Sequence, residues 1–137
     1  MSEVRHPFPR LPHAAPFLLV DRVVEIGERS GVFVKHVAAS DPCVADDGTL
    51  PTAFLLETLA QGGGALLSAL KNDVPQPGYL AAVDDFRVLA PVRVGDVLRI
   101  EVEVLRPFQA ATQLRGRALV DGLARGGVCR PLRLEAA

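Results

Sequence analysis

Tryptophan is absent from this 137-residue chain, tyrosine and methionine occur once each, and cysteine occurs only twice, as Cys43 and Cys129. Two cysteines so far apart supply neither a disulfide framework nor a cysteine-based zinc site, so free thiols in a reducing cytoplasm are expected. An excess of one charge is also missing: 15 Lys and Arg stand against 16 Asp and Glu, a net charge of −1. The basic footprint of a nucleic-acid binder is therefore not present. Long apolar runs are lacking too. The uncharged stretch from Thr58 to Leu70 has 13 residues, against the ~20 a membrane-spanning helix needs, so no membrane partner and a soluble protein are expected. The first 13 residues hold Pro7, Pro9 and Pro12 and no apolar core of a secretory signal. What is present is a chain 49% hydrophobic and 23% charged, of a size to bury one core, which predicts a single domain over 1–137.

Its 11 prolines and 12 glycines mostly fall between periodic segments and punctuate a largely β chain. From Asp96 to Leu105, Leu98, Ile100, Val102 and Val104 alternate with Arg99, Glu101 and Glu103, the pattern of a half-buried antiparallel strand. A second strand is expected from Ala111 to Val120, ended by an Asp121-Gly122 hairpin turn. A third runs from Val128 to Leu134, where Pro131 lacks a ladder donor and marks an edge or a bulge. Further extended segments are Phe17 to Ile26, Val32 to Val37 and Tyr79 to Leu89. Thr52 to Lys71 is the one expected helix, apolar almost all round, with Thr52 available as its cap. Gly62-Gly63-Gly64 in its middle cost roughly 1 kcal/mol each relative to Ala, which predicts a close crossing by a strand or a partner's backbone. Five or six antiparallel strands wrapped round one helix is the architecture implied.

Within that helix Glu57 and Gln61 stand four apart on one face. Such groups either hydrogen-bond at a seam of the fold or place a carboxyl in an apolar pocket, where desolvation equips it as a general acid. Gln61, with Thr52 and Phe54 from the first turn, is a candidate substrate contact.

Here the sequence resembles a family. Leu11-Pro12-His13-Ala14-Ala15-Pro16-Phe17-Leu18-Leu19-Val20-Asp21-Arg22-Val23 is similar to the N-terminal signature of the β-hydroxyacyl-acyl-carrier-protein dehydratases. Leu55-Leu56-Glu57-Thr58-Leu59-Ala60-Gln61 resembles their helix motif, Pro91-Val92-Arg93-Val94-Gly95-Asp96 their Pro-Val-x-x-Gly-Asp turn, and Gly116 to Gly122 a late strand. The resemblance implies an α+β hot-dog fold, a curved antiparallel sheet round a central helix. It also implies a homodimer or larger homo-oligomer with sites at the subunit boundary. Two residues do that family's work, a His in a Gly-His-Phe-Pro-Gly stretch and an acidic residue in the helix. Glu57 matches the acid. A gapless count puts the His position at Cys43, 14 residues earlier, and the Gly-His-Phe-Pro-Gly stretch itself is missing. The implied catalytic pair is Glu57 with Cys43 of the other subunit, and no metal or cofactor is expected.

Dehydration of a 3-hydroxyacyl thioester needs a base at the carbon next to the carbonyl and an acid at the departing hydroxyl. A thiol with pKa near ~8.5 is mostly protonated at neutral pH unless a cation or helix N-terminus lowers it. No Lys or Arg lies in the Cys43 loop, whereas Asp41, Asp46 and Asp47 do. Asp46 and Asp47 read chiefly as turn residues ahead of Gly48. The remaining histidines, His6, His13 and His36, read as leader, structural and strand residues. Arg87, Arg93 and Arg99 read as solvated strand charges or as contacts to a carrier's phosphate. Three functions stay open: a dehydratase acting on acyl thioesters of carrier protein or coenzyme A, a non-catalytic or heteromeric hot-dog partner subunit, and a thioesterase in which Glu57 activates water.

Overall fold

Alternating apolar residues become strands, and a computed structural model, which describes residues 18–71, 78–108, 111–120 and 127–136, orders them. The elements are β1 (Arg22–Ile26), β2 (Ser30–His36), α1 (Thr52–Leu70), β3 (Gly78–Val83), β4 (Arg87–Val88), β5 (Val97–Phe108), β6 (Ala111–Val120) and β7 (Gly127–Ala136). The strands form one antiparallel sheet in the order β1-β2-β5-β6-β7-β3, with β4 also paired to β7. Helix α1 packs against β2, β5, β6 and β7. This is the hot-dog arrangement, with seven strands rather than five or six because Tyr79 to Leu89 divides. The break falls at Asp84-Asp85-Phe86, where Asp85 takes a left-handed φ of 55° that no ladder accommodates. The leader with His6 and His13, the Asp121-Gly122 turn and the Cys129 thiol lie outside the described residues.

The inward positions of β5 are those expected: Leu98, Ile100 and Val102 are buried, while Arg99 and Glu103 are exposed. With Phe33, Leu114 and Ala118 they form the floor on which Leu55, Leu59 and Leu66 of the helix rest. Pro131 occupies a bulge, not an edge. On the β6 side, Leu114 pairs with Leu132 and Gly116 with Cys129, so Arg130 and Pro131 together face Arg115. On the other side, β4 ends its pairing at Val128 and β3 begins at Leu132. A residue without an N–H sits where neither neighbour asks for one.

Glycines let helix and sheet approach. Gly31, Val102 and Gly116 are register neighbours across three strands. An added Cβ at Gly31 would stand 2.9 Å from the Phe33 ring and 3.3 Å from the Leu66 side chain, and one at Gly116 3.5 Å from that of Leu59. From the helix side, a Cβ at Gly62 would meet Ile100 Cγ2 at 3.0 Å. At Gly62 the helix is met closely by strand side chains, Ile100 and Val102 of β5, and not by the backbone predicted for the three helix glycines. Gly62→Leu is expected to gain up to about 1 kcal/mol of helix propensity and to lose more, roughly 1–3 kcal/mol, by overpacking against a stiff β-branched neighbour. Thermal unfolding several degrees below wild type checks it; an unchanged midpoint contradicts the crossing.

The helix begins at Thr52 as expected and ends at Leu70, with Lys71 as its C-cap. Thr52 is not the cap. Pro51 occupies that position, with φ −58° and ψ 147°, and no side chain caps the helix; its carbonyl takes the N–H groups of Phe54 and Leu55. Proline's fixed φ makes the entry, which moves Thr52 into the first turn and leaves it exposed. At 19 residues and mean hydropathy 1.3 the helix has the length and composition of a membrane span, and half of that apolar stretch is buried inside the fold.

Candidate active site

One face of α1 carries Glu57, Thr58 and Gln61. Thr58 is internal to the helix, its hydroxyl donating to the Phe54 carbonyl at 2.7 Å. Gln61 is 1% exposed and both ends of its amide are engaged. Its Oε1 accepts the Leu19 N–H at 2.7 Å, and its Nε2 donates to Glu57 Oε1 at 3.1 Å. The donor at the far end of this relay, the Leu19 amide, belongs to an extended segment that precedes β1 and is pinned by its buried Leu19 and Val20 side chains. Glu57 itself is half-buried. The carboxylate is thereby fixed in direction by a core amide, the arrangement required of a group that must meet a reacting atom. Phe54 is half-buried against the core cluster.

The Cys43 loop leaves β2 and returns to the helix. Its fold is set by short-range bonds: Asp41 N–H to the Ala38 carbonyl, Val44 N–H to the Asp41 carbonyl, and Gly48 N–H to the Ala45 carbonyl. Asp47 accepts both the N–H and the hydroxyl of Thr49, and Gly48 takes φ +82°, so Asp47 is the turn residue expected. The loop is clamped to the Pro91–Asp96 turn by Leu50 N–H to the Val92 carbonyl and Val94 N–H to the Gly48 carbonyl.

Cys43 lies in the core cluster, 7% exposed. Burial pushes its thiol upward, and the neighbouring Asp41 charge adds to this, against a smaller opposing pull from Lys35. The thiol is protonated at neutral pH. Lys35 was not visible as a participant from loop composition; it comes from β2, is 3% exposed and pairs with Asp41 Oδ2 at 2.8 Å. Asp41 feels burial as its largest influence, which raises its pKa, but the Lys35 hydrogen bond and charge with the Cys43 N–H outweigh it and hold the carboxyl below its ordinary value. The signal for Lys35 was in the sequence, since it shares the inward parity of Phe33 on β2.

The expected pairing of Cys43 with Glu57 is between subunits; within one chain each has the surroundings just described. His36, the one histidine among the described residues, is exposed on β2, and its backbone N–H bonds the Asp21 carboxylate at 2.6 Å. Arg87 pairs with Asp85 and Arg99 with Glu101, both at the surface, where such pairs contribute at most about 1 kcal/mol. Arg93 is exposed. A cleft of about 460 Å³ is lined by Ser30–Val32, Glu101–Glu103 and Arg115–Arg117; it holds none of the candidate residues and is crossed by the exposed Glu101–Arg117 and Glu103–Arg115 pairs. Among the described residues no group of His, Cys, Asp and Glu gathers as a metal site.

One helix packed in an antiparallel sheet among the described residues defines a hot-dog protein, and Glu57 is the carboxylate oriented on that helix. Residues 6–114 match the family described as ApeP-like, the ApeP dehydratases. The 3-hydroxyacyl-acyl-carrier-protein dehydratase FabZ of Actinobacillus pleuropneumoniae is 37% identical over 127 residues, covering 88% of this chain and 82% of that one. FabZ of Thermomicrobium roseum is 36% identical over 118 residues, 82% and 78% of the two chains. Among solved structures, the dehydratase heterocomplex ApeI:P of Xenorhabdus doucetiae superimposes with a TM-score of 0.82 at 22% identity, over 93% of this chain and 88% of that one. A hypothetical thioesterase of Streptococcus pneumoniae, solved with coenzyme A, does so at 0.66 and 14% identity, over 85% and 84%. The chain belongs to the ApeP-like dehydratase family.

Proposed function

We propose that this protein is the glutamate-bearing subunit of a heteromeric hot-dog dehydratase that converts 3-hydroxyacyl thioesters of an acyl-carrier protein to enoyl thioesters. The observation that carries this reading is the inequality of the two candidate groups. Glu57 is oriented by the Gln61 relay to Leu19, whereas Cys43 is a buried, protonated thiol beside a carboxylate. In the reaction a base removes the proton next to the thioester carbonyl, the hydroxyl leaves from the next carbon, and an acid protonates it as water. Glu57 serves the hydroxyl. Gln61 is a positioning residue, and Cys43 is wall rather than base. The missing base, an imidazole with pKa near neutrality, comes from a second hot-dog chain across the subunit boundary. The names of the relatives support the substrate class and the heterocomplex supports a partner of the same fold. The domain is taken as one unit over 1–137, and Thr52 and Phe54, at the exposed end of the helix, line the approach for the acyl thioester.

Incubating the purified chain alone with a 3-hydroxyacyl-acyl-carrier protein tests the first half of this reading. No enoyl thioester absorbance above background is expected. Full turnover by the chain alone overturns the heteromeric reading, and Glu57-dependent release of free thiol from a saturated acyl thioester replaces it with a thioesterase.

A further inference from the structure

Lys35 is a buried ammonium that the dehydration does not use. It reaches from the inward face of β2 to Asp41, whose two oxygens are shared between two tasks: Oδ2 takes Lys35 Nζ at 2.8 Å and Oδ1 takes the Cys43 N–H at 3.0 Å. The side chains of the ion pair are 3% and 12% exposed, so water screens them poorly. The charged groups acting on the Cys43 sulfur are Asp41 from its own loop and Lys35 from β2. Asp46 is exposed, and Asp47 is turned to Thr49.

We propose that Lys35 and Asp41 form a charge lock in the wall of the site: the ammonium anchors the Asp41 carboxylate beside Cys43, and that negative charge opposes a second one on the sulfur. The purpose of the lock rests on the thioester-substrate reading above. A thiolate beside a thioester attacks its carbonyl carbon; a new carbon–sulfur bond forms, the bond to the carrier sulfur breaks, and the carrier leaves as a thiolate that takes a proton from water. The acyl group then stays on Cys43 and the subunit is blocked. A protonated thiol is a poor nucleophile, so the lock keeps the protein from acylating itself on its own substrate class.

The alkylation rate of Cys43 by iodoacetamide as a function of pH, read by peptide mass so that Cys129 is counted separately, tests the lock. In the wild type the midpoint is expected above the ordinary thiol value of about 8.5. Asp41→Asn keeps an acceptor for the Cys43 N–H but removes the opposing charge and frees the ammonium; its rate at pH 7 is expected to rise at least about tenfold, the change in thiolate fraction that one pKa unit brings. Adding Lys35→Met takes back only the part of the gain that the freed ammonium brings, and Lys35→Met alone slows the reaction below wild type. A wild-type midpoint at or below the ordinary value, no gain in a folded Asp41→Asn, or an unchanged rate in Lys35→Met overturns the lock. The wild-type midpoint and Lys35→Met decide the matter should Asp41→Asn not fold. Incubation of Asp41→Asn with S-butanoyl-N-acetylcysteamine is expected to add one butanoyl group at Cys43 by intact mass. Faster alkylation without acylation leaves the lock in place and overturns its protective role.

Discussion

Glu57→Gln is expected to lower dehydration by the assembled heteromer by about 10²–10⁴-fold, the range a single general acid supplies, with little change in thermal stability. Glutamine matches glutamate in size and still offers an oxygen to the Gln61 amide, whose Nε2 bonds Glu57 Oε1 at 3.1 Å. What it lacks is a titratable proton for the departing hydroxyl. Steady-state kinetics beside thermal unfolding separate the two effects: a large fall in kcat in a protein of wild-type stability supports the acid role. Loss of activity together with stability makes Glu57 a packing residue.

Gln61→Leu has the second-largest expected effect, and it falls on both stability and rate. Leucine fills the volume but accepts nothing, so the Leu19 N–H, now bonded at 2.7 Å to an amide 1% exposed, is left buried without a partner at a cost of about 1–3 kcal/mol. Glu57 loses the donor that fixes its direction, and a hydrogen bond of about 0.5–1.5 kcal/mol corresponds to roughly 2- to 10-fold in rate. The signature of positioning is a fall in kcat with KM nearly unchanged. An unaltered kcat in a destabilised protein assigns Gln61 to packing alone.

The strands were legible wherever side-chain period alone decides: β6 is Ala111–Val120 as expected, and the alternation of β5 is the observed one. The helix was legible because its apolar residues run on all sides from a proline start. The cap was not, since Thr52 invites that role only until Pro51 takes it. The strand expected from Tyr79 to Leu89 failed at Asp85, whose positive φ is a backbone state that composition does not announce. At the site, Glu57 and Gln61 were visible from their spacing, but the use of Gln61 to join the helix to Leu19 is a contact across 42 residues. Lys35 shares the inward parity of Phe33 on β2, but parity does not name its partner. A buried charge pair is written in the sequence as two ordinary polar residues, and only the turn through Ala38 brings Asp41 back to β2.

In the proposed division of labour this chain supplies the acid and a different hot-dog subunit the base. Its most direct test is the rate of dehydration of a 3-hydroxyacyl-acyl-carrier protein by the chain alone, by a histidine-bearing hot-dog subunit of the dehydratase family that co-purifies with it, and by the two together, each with wild-type Glu57 and with Glu57→Gln. Enoyl thioester formation is expected only from the mixture, and is lost with Glu57→Gln. Equal activity of the partner alone, or activity of the mixture that survives Glu57→Gln, contradicts it.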